Sequence, residues 1–411
     1  MLEALKQKMQ ALGAEIPLSE RLGVLGTPLA IDKITLQNRL AIQPMEGCDG
    51  TPDGRPGELT VRRYERFARG GAALLWFEAT AIVPGGRASP RQLWINEKNL
   101  DDFRRVVDLI KETSVKEHGF APLLIMQATH SGRWSKPESR PAACLSDDEL
   151  QALEERFGQA ARRAEAAGFD GMDVKCCHGY LLCELLSGYD RPGRYGGAFE
   201  NRTRLLVNGI KAAQAAAPSG FVVTSRLNIY DGFAYPEGFG MDPSGGLAED
   251  MTEPLRLIGI LHNDLNINLL NITMGCPYTN PHVNRPFDMG PYEPPEHPLE
   301  GVARMYRLTG QAQRAYPGLA IIASGPSYLR QYGAQLAAGA VEQGCCKLVG
   351  FGRQAFAYPD FARDILRNGA LDPAKCCLAC GKCSQLMRAG STAGCVARDE
   401  VYREIYRRDV A

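Results

Sequence analysis

Leu319-Ala-Ile-Ile-Ala-Ser324-Gly325 and Lys347-Leu-Val-Gly350-Phe-Gly352-Arg353 decide the fold. Each is a short apolar run that stops at glycine, and such a run, bounded by turn residues, reads as a strand buried on both faces. Six similar runs precede them: Ala41–Met45, Ala72–Glu78, Pro122–Gln127, Gly171–Lys175, Phe221–Arg226 and Asn266–Ile272. With Leu319–Ser324 and Lys347–Gly350 they make eight. Helical patterns fall between them, among them Leu100–Glu117, Asp147–Ala167, Glu200–Ala217 and Pro298–Tyr316. Eight strands alternating with helices predict an α/β protein of the closed (β/α)8, or TIM, barrel type. The competing doubly wound sheet lacks its glycine fingerprint after the first strand.

Around this frame, Val24–Leu36 reads as a hairpin capping the barrel bottom. Residues 1–22 read as a helical extension, with Leu2, Leu5, Met9 and Leu12 at helical spacing, packed on the barrel or on another subunit. The barrel is expected to end near residue 370, with 371–411 as a separate small segment. The loop Thr273–Pro298 is long and rich in Pro and Asn, and long loops in compact domains are often functional.

The chain has 411 residues, with 47 basic and 47 acidic side chains. That neutral balance excludes a nucleic-acid or anionic-membrane surface as the organising feature, and no apolar run is long enough to span a bilayer. The opening MLEALKQKMQALGAEI mixes charges with apolar residues, unlike a signal peptide. The 13 cysteines are odd in number and include adjacent pairs. Free thiols in a reducing cytoplasm are therefore expected rather than a disulfide scaffold.

Near the C-terminus stands Cys377-x2-Cys380-x2-Cys383, followed by eleven residues and Cys395. Four thiolates at this spacing suit a four-iron, four-sulfur cluster; a structural zinc site and unconnected thiols are the other readings of the spacing. In a barrel of this type the active site lies at the C-terminal strand ends. Those ends carry Met45-Glu46, Glu78-Ala79, Gln127 with His130, Lys175 to His178, Arg226, Thr273 to Gly275, Ser324-Gly325 and Gly350 to Arg353. Glycines that admit backbone N–H groups, with Arg353 beside them, suit a phosphate.

Together these pieces resemble the Old Yellow Enzyme, or NADH:flavin oxidoreductase, superfamily. The similarity is to the iron–sulfur branch of 2,4-dienoyl-CoA reductase and trimethylamine dehydrogenase, barrel and cluster part only. The matching motifs are Asn38-Arg39 leading into Gln43-Pro44-Met45, Phe77-Glu78-Ala79, Gln127-x2-His130-x-Gly132-Arg133, and His178-Gly179-Tyr180-Leu181-Leu182. Tyr195-Gly196-Gly197 with Glu200-Asn201-Arg202, then Gly352-Arg353, and finally the cysteine run complete the set, in family order.

The resemblance implies an FMN-binding barrel with a [4Fe-4S] cluster held by Cys377, Cys380, Cys383 and Cys395. Pro44, Met45, Ala79 and Gln127 would contact the flavin, Arg226 would lie near N1 and C2=O, and Ser324, Gly325, Gly352 and Arg353 would hold the phosphate. Tyr180 matches the proton donor, while Lys175 and His178 occupy the pair that binds the substrate oxygen. Relatives have histidine at the first position of that pair, so lysine departs from the pattern. After Met45, relatives place Thr or Cys against the flavin; here the sequence leaves Cys48 and Glu46 as alternatives. Tyr278 and His282 are candidates for the substrate pocket.

The implied activity is that of an ene-reductase acting on a C=C bond conjugated to a carbonyl, carboxylate or thioester. An amine dehydrogenase sending electrons outward, and an electron-transfer subunit without a substrate, are the alternatives. The chain carries no dinucleotide fingerprint. A separate electron donor is therefore expected: a flavoprotein subunit, a ferredoxin, a flavodoxin or NAD(P)H.

Overall fold

The computed structural model describes residues 2–410. Eight parallel strands close into a barrel: β3 Leu40–Ile42, β4 Leu74–Ala81, β5 Leu123–Thr129, β6 Gly171–Val174, β7 Val222–Asn228, β8 Leu269–Thr273, β9 Ala320–Ala323 and β10 Leu348–Phe351. β10 pairs with β3 to complete the ring. All eight expected runs are strands. β4, β5 and β7 run further than their apolar stretches, because Ala79, Thr80 and Ala81 continue to pair with Gln127, Ala128 and Thr129, and Leu227 and Asn228 with Ile272 and Thr273. Gln127 and Arg226 thus sit within strands, on the rigid wall of the barrel, and not in the loops after them.

The expected hairpin is present but shorter: β1 Leu29–Ile31 pairs antiparallel with β2 Ile34–Leu36. Its Ile31 and Leu36 plug the barrel bottom against Leu74, Trp76, Leu123, Ile125 and Ile322. The N-terminal helix Leu2–Ala11 buries Met9 on the barrel. The following chain hydrogen-bonds through Ser19 N–H to Gln335 O at 3.0 Å. A Cβ at Gly339 would stand 2.6 Å from the Pro17 backbone, so a glycine is required where the extension crosses helix Gly333–Glu342.

The C-terminal stretch is stitched to the barrel mouth. Thr392 Oγ1 and the Ala393 N–H each donate to Gly47 O at 2.7 Å. Asp399, which caps helix Glu400–Asp409, accepts two hydrogen bonds from Arg62 at 2.8 and 3.0 Å and is also paired with Arg66. Apart from the small cluster of Leu386, Val396 and Tyr402, the stretch has little core of its own and contributes Leu371, Cys376 and Ala393 to the barrel's.

Beneath the mouth lies a buried ionic knot. A register shift in β4 between Phe77 and Ala79 re-aims Glu78. Its carboxylate accepts from Gly47 N–H at 2.8 Å and from Arg63 at 2.5 Å, and Arg63 also pairs with Asp49. The three side chains are no more than 4% exposed. Burial pushes Glu78 up to about 7 despite Arg63. Replacing Arg63 by Ala would strand two buried carboxylates. The expected cost is about 3–5 kcal/mol of folding free energy, read as a lower denaturant midpoint with an unchanged slope.

Candidate active site at the barrel mouth

A cleft with a cavity volume of about 170 Å³ opens at the C-terminal ends of the strands. Gln43 to Glu46 after β3, Ala79 in β4 and Gln127 in β5 form one side, and Ser324, Gly325, Gly352 and Arg353 form the other. Lys175, His178 and Tyr180 enter after β6, and Tyr278, Asn284 and Arg285 come from the long loop. Cys383, Ser384, Met387 and Ala393 of the C-terminal stretch complete the wall. The cysteine segment is thus part of this site.

Asp173 organises the deep end. Gln127 Nε2 donates to its Oδ2 at 2.6 Å, Trp76 Nε1 to the same oxygen at 2.7 Å, and the Arg226 N–H to Oδ1 at 2.7 Å. Gln127 is thereby fixed with its carbonyl oxygen free. Burial nevertheless holds Asp173 up at about 6. On the opposite side Asn271 Nδ2 donates to Gln43 Oε1 at 2.7 Å, and Gln43 Nε2 donates to Ser324 Oγ at 2.9 Å. Arg226 reaches Ser324 Oγ at 3.5 Å, and its buried Nε has no partner.

The loop after β6 turns sharply through left-handed His178 (φ 67°) and Gly179 (φ 70°). Only glycine suits the second position, where a Cβ would meet Cys276 Sγ at 3.0 Å. The turn delivers three groups. Tyr180 Oη donates to Glu46 Oε2 at 3.2 Å and lies 3.0 Å from Tyr278 Oη. Lys175 Nζ sits 3.5 Å from the centroid of the Tyr180 ring. His178 Nε2 accepts from Asn284 Nδ2 at 2.9 Å, so its proton is on Nδ1. Burial, with Arg226 and Lys175 nearby, lowers His178 well below its usual value and keeps the ring neutral. Burial also lowers Lys175 and raises Tyr180.

Charge is the dominant property. Lys175, Arg226, Arg285 and Arg353 all line the cleft, and none has a carboxylate within salt-bridge distance among the described residues. Asp173 is engaged as above, and Glu184 pairs with Arg133 at 2.5 Å, so neither neutralises Lys175. Arg353 donates to Pro286 O at 2.8 Å, Arg285 is bonded to Ser384 Oγ, and the buried Arg285 Nε has no partner. Burial, with Arg353 adding to it, lowers Arg285 to about 10. Glu46 is the one carboxylate lining the cleft among the described residues. Buried cations without counterions fit a bound dianion, and the donor set beside Gly325 and Gly352 fits a phosphorylated cofactor.

The structure separates the two alternatives after Met45. Glu46 faces the cleft, whereas Cys48 lies behind it, buried and donating to Glu46 Oε1 at 3.7 Å. His282 is also away from the cleft; its Nδ1 is 2.6 Å from Tyr292 Oη. Asn284 and Arg285 stand at the wall instead, and the sequence reading missed both. Its available signal was a cation two residues before Phe287 in a loop already marked as functional.

The four thiols Cys377, Cys380, Cys383 and Cys395 lie near one another. Besides burial, Cys383 and Cys380 act on Cys377, and Cys377 and Cys383 on Cys395. Among the described residues no three His, Cys, Asp or Glu side chains converge tightly enough for a single metal ion. Cys376 is engaged elsewhere, accepting from Gln354 Nε2 at 3.3 Å.

Residues 126–263 match the family model described as "NADH:flavin oxidoreductase / NADH oxidase family". The NADPH dehydrogenase of Geobacillus sp. (strain WCH70) is 30% identical over 249 residues, covering 56% of this chain and 70% of the relative. Among solved structures, a 2-naphthoyl-CoA reductase in complex with 2-naphthoyl-CoA superposes with TM-score 0.76 at 17% identity, over 94% of this chain and 58% of that one. Histamine dehydrogenase from Rhizobium sp. 4-9 gives TM-score 0.70 at 18% identity, over 94% and 53%. These two share the fold, and this chain spans a little over half of each. No helix of the described residues is long and apolar enough to cross a membrane.

Asp173 gives a prediction with a definite sign. Its ordinary value is 3.8 and its folded value about 6, so the folded protein binds the extra proton between those limits. The associated stabilisation is complete below pH 3.8 and lost as pH rises through about 6. In urea titrations of flavin-free protein, wild type is expected to gain stability relative to Asp173→Asn as pH falls through that window.

Proposed function

The chain belongs to the NADH:flavin oxidoreductase / NADH oxidase family and is a flavin-dependent oxidoreductase; from that premise we propose that it reduces a C=C bond conjugated to a carbonyl, carboxylate or thioester. FMN would be held by Gln127 and Arg226 at its ring, with Pro44, Met45 and Ala79 alongside, and by Ser324, Gly325, Gly352 and Arg353 at its phosphate. When bound, it supplies the hydride. Tyr180 gives its phenolic proton to the carbon next to the activating group. The Lys175 ammonium and the Nδ1–H of neutral His178 bind the activating oxygen, where negative charge gathers. Tyr278 borders the substrate.

The observation that carries this reading is Lys175 Nζ at 3.5 Å from the Tyr180 ring centroid, with no carboxylate within salt-bridge distance among the described residues. An ammonium in that place attracts an oxygen bearing negative charge. It also fills the aromatic face that a cationic amine would need and repels such a substrate, which favours the reductase over an amine dehydrogenase.

Cys377, Cys380, Cys383 and Cys395 are proposed as ligands of a [4Fe-4S] cluster. A cubane is larger than one ion, so thiols that interact without closing on a single metal are consistent with it. Cys383 on the cleft wall would bring the cluster beside the flavin, and residues 371–411 would serve as an electron inlet to the barrel of residues 1–370. The donor would be a flavoprotein subunit, a ferredoxin, a flavodoxin or NAD(P)H.

Two measurements check this reading. Pre-reduced holoprotein, mixed anaerobically with enoates, enoyl thioesters and enones, is expected to be reoxidised by at least one class. The product formed in D2O should carry deuterium on the carbon that Tyr180 protonates, and Tyr180→Phe should slow the step about 10²–10⁴-fold. Reoxidation by none of them, together with reduction by amines, would reverse the assignment. Anaerobically purified protein is expected to contain about four irons per chain, falling sharply in Cys395→Ser; zinc without iron would make the cysteine site structural.

A further inference from the structure

Glu46 is the one acid on a cleft wall otherwise lined by cations, and its loop is held from two sides. Gly47 N–H donates to Glu78 at 2.8 Å, while Gly47 O accepts from Thr392 and Ala393 at 2.7 Å. With its neighbour pinned by the barrel and by the C-terminal stretch, Glu46 has its carboxyl aimed at Tyr180 Oη, 3.2 Å away. Among the described residues no arginine is within salt-bridge distance of it. Resting on the ene-reductase reading, we propose that Glu46 is a catalytic acid that restores the proton Tyr180 delivers.

The atoms balance as follows. The Tyr180 O–H bond breaks and a C–H bond forms on substrate, leaving a phenolate. The Glu46 carboxyl O–H then breaks as its proton moves to Tyr180 Oη, leaving a carboxylate. Lys175 is the cation placed to stabilise that carboxylate, and solvent returns the proton. A protonated Glu46 would reverse the hydrogen bond that Tyr180 Oη otherwise donates to it, leaving the phenolic hydrogen for the substrate.

The surroundings match an acid that keeps its proton. Withdrawal from water raises Glu46 above its ordinary value, while Lys175 from the end of β6 and hydrogen bonds from Tyr180, Cys48 and Gln92 pull it back down. Buried Glu78 in β4 is a second negative group facing it, and Tyr278 from the loop after β8 meets the same phenol. Tyr278 stacks on Trp134 at 4.4 Å, which fixes the outer end of the chain Glu46–Tyr180–Tyr278.

The test uses the holoprotein and the variants Glu46→Gln and Glu46→Asp. Glutamine keeps the shape and the hydrogen bond but has no acidic proton. The resting wild-type protein is expected to show an infrared carbonyl stretch of a protonated carboxyl that fades as pH rises and is missing from Glu46→Gln. Alkene-driven reoxidation should fall as pH rises through that same ionisation. Glu46→Gln should be slowed roughly tenfold or more and lose this pH limb, and Glu46→Asp should retain the limb. An unchanged band, or an unchanged rate and pH limb in Glu46→Gln, would overturn the proposal while leaving the ene-reductase reading intact. If no alkene reoxidises the wild-type protein, that reading falls and this proposal with it.

Discussion

Four cations converge on one cleft with a single carboxylate among them, and the rest of the molecule is arranged to hold them there. An unpaired buried guanidinium is costly, so this mouth is at its most stable when something negative fills it. Arg226 is carried by a barrel strand, Lys175 by the tight turn after β6, Arg285 by the long loop and Arg353 by the end of β10. Together these four cations make the mouth a site suited to an anion.

Rigidity at the site comes from buried acids that do not themselves face the cleft. Asp173 orients Gln127 and ties β6 to β7, and Glu78 with Asp49 and Arg63 anchors the loop bearing Glu46. The C-terminal stretch adds its two hydrogen bonds to Gly47 and its contacts through Asp399. One residue, Gly47, thus joins the active-site loop both to Glu78 and to the C-terminal stretch.

Much of this was legible in the sequence. The eight strands showed because a barrel buries both faces of each strand and leaves continuous apolar runs. The rim polar residues showed because they follow those runs. Gln127, Arg226, Lys175, Tyr180 and Arg353 all reach the cleft. What stayed hidden depends on side-chain direction within irregular backbone. The turn after Met45 puts Glu46 forward and Cys48, at φ 48°, behind it. His282 and Arg285 lie three residues apart in one loop, and only the fold of that loop sends Arg285 inward. The cysteine segment read as a separate piece because some of its contacts to the barrel fall on backbone atoms such as Gly47 O and others, such as Asp399 with Arg62, join residues far apart in the chain, and neither kind leaves a trace in a pattern of residue types.

The charge argument is tested most directly by comparing FMN with riboflavin, which has the same ring and lacks the phosphate. Affinities for the flavin-free protein would be measured by quenching of flavin fluorescence. Charge-assisted hydrogen bonds contribute about 1.5–3 kcal/mol each, so FMN is expected to bind about a hundredfold tighter or more, with the advantage shrinking as salt is raised. Equal affinity for the two flavins would mean that the buried arginines serve something other than a phosphorylated cofactor and would contradict the account at its base.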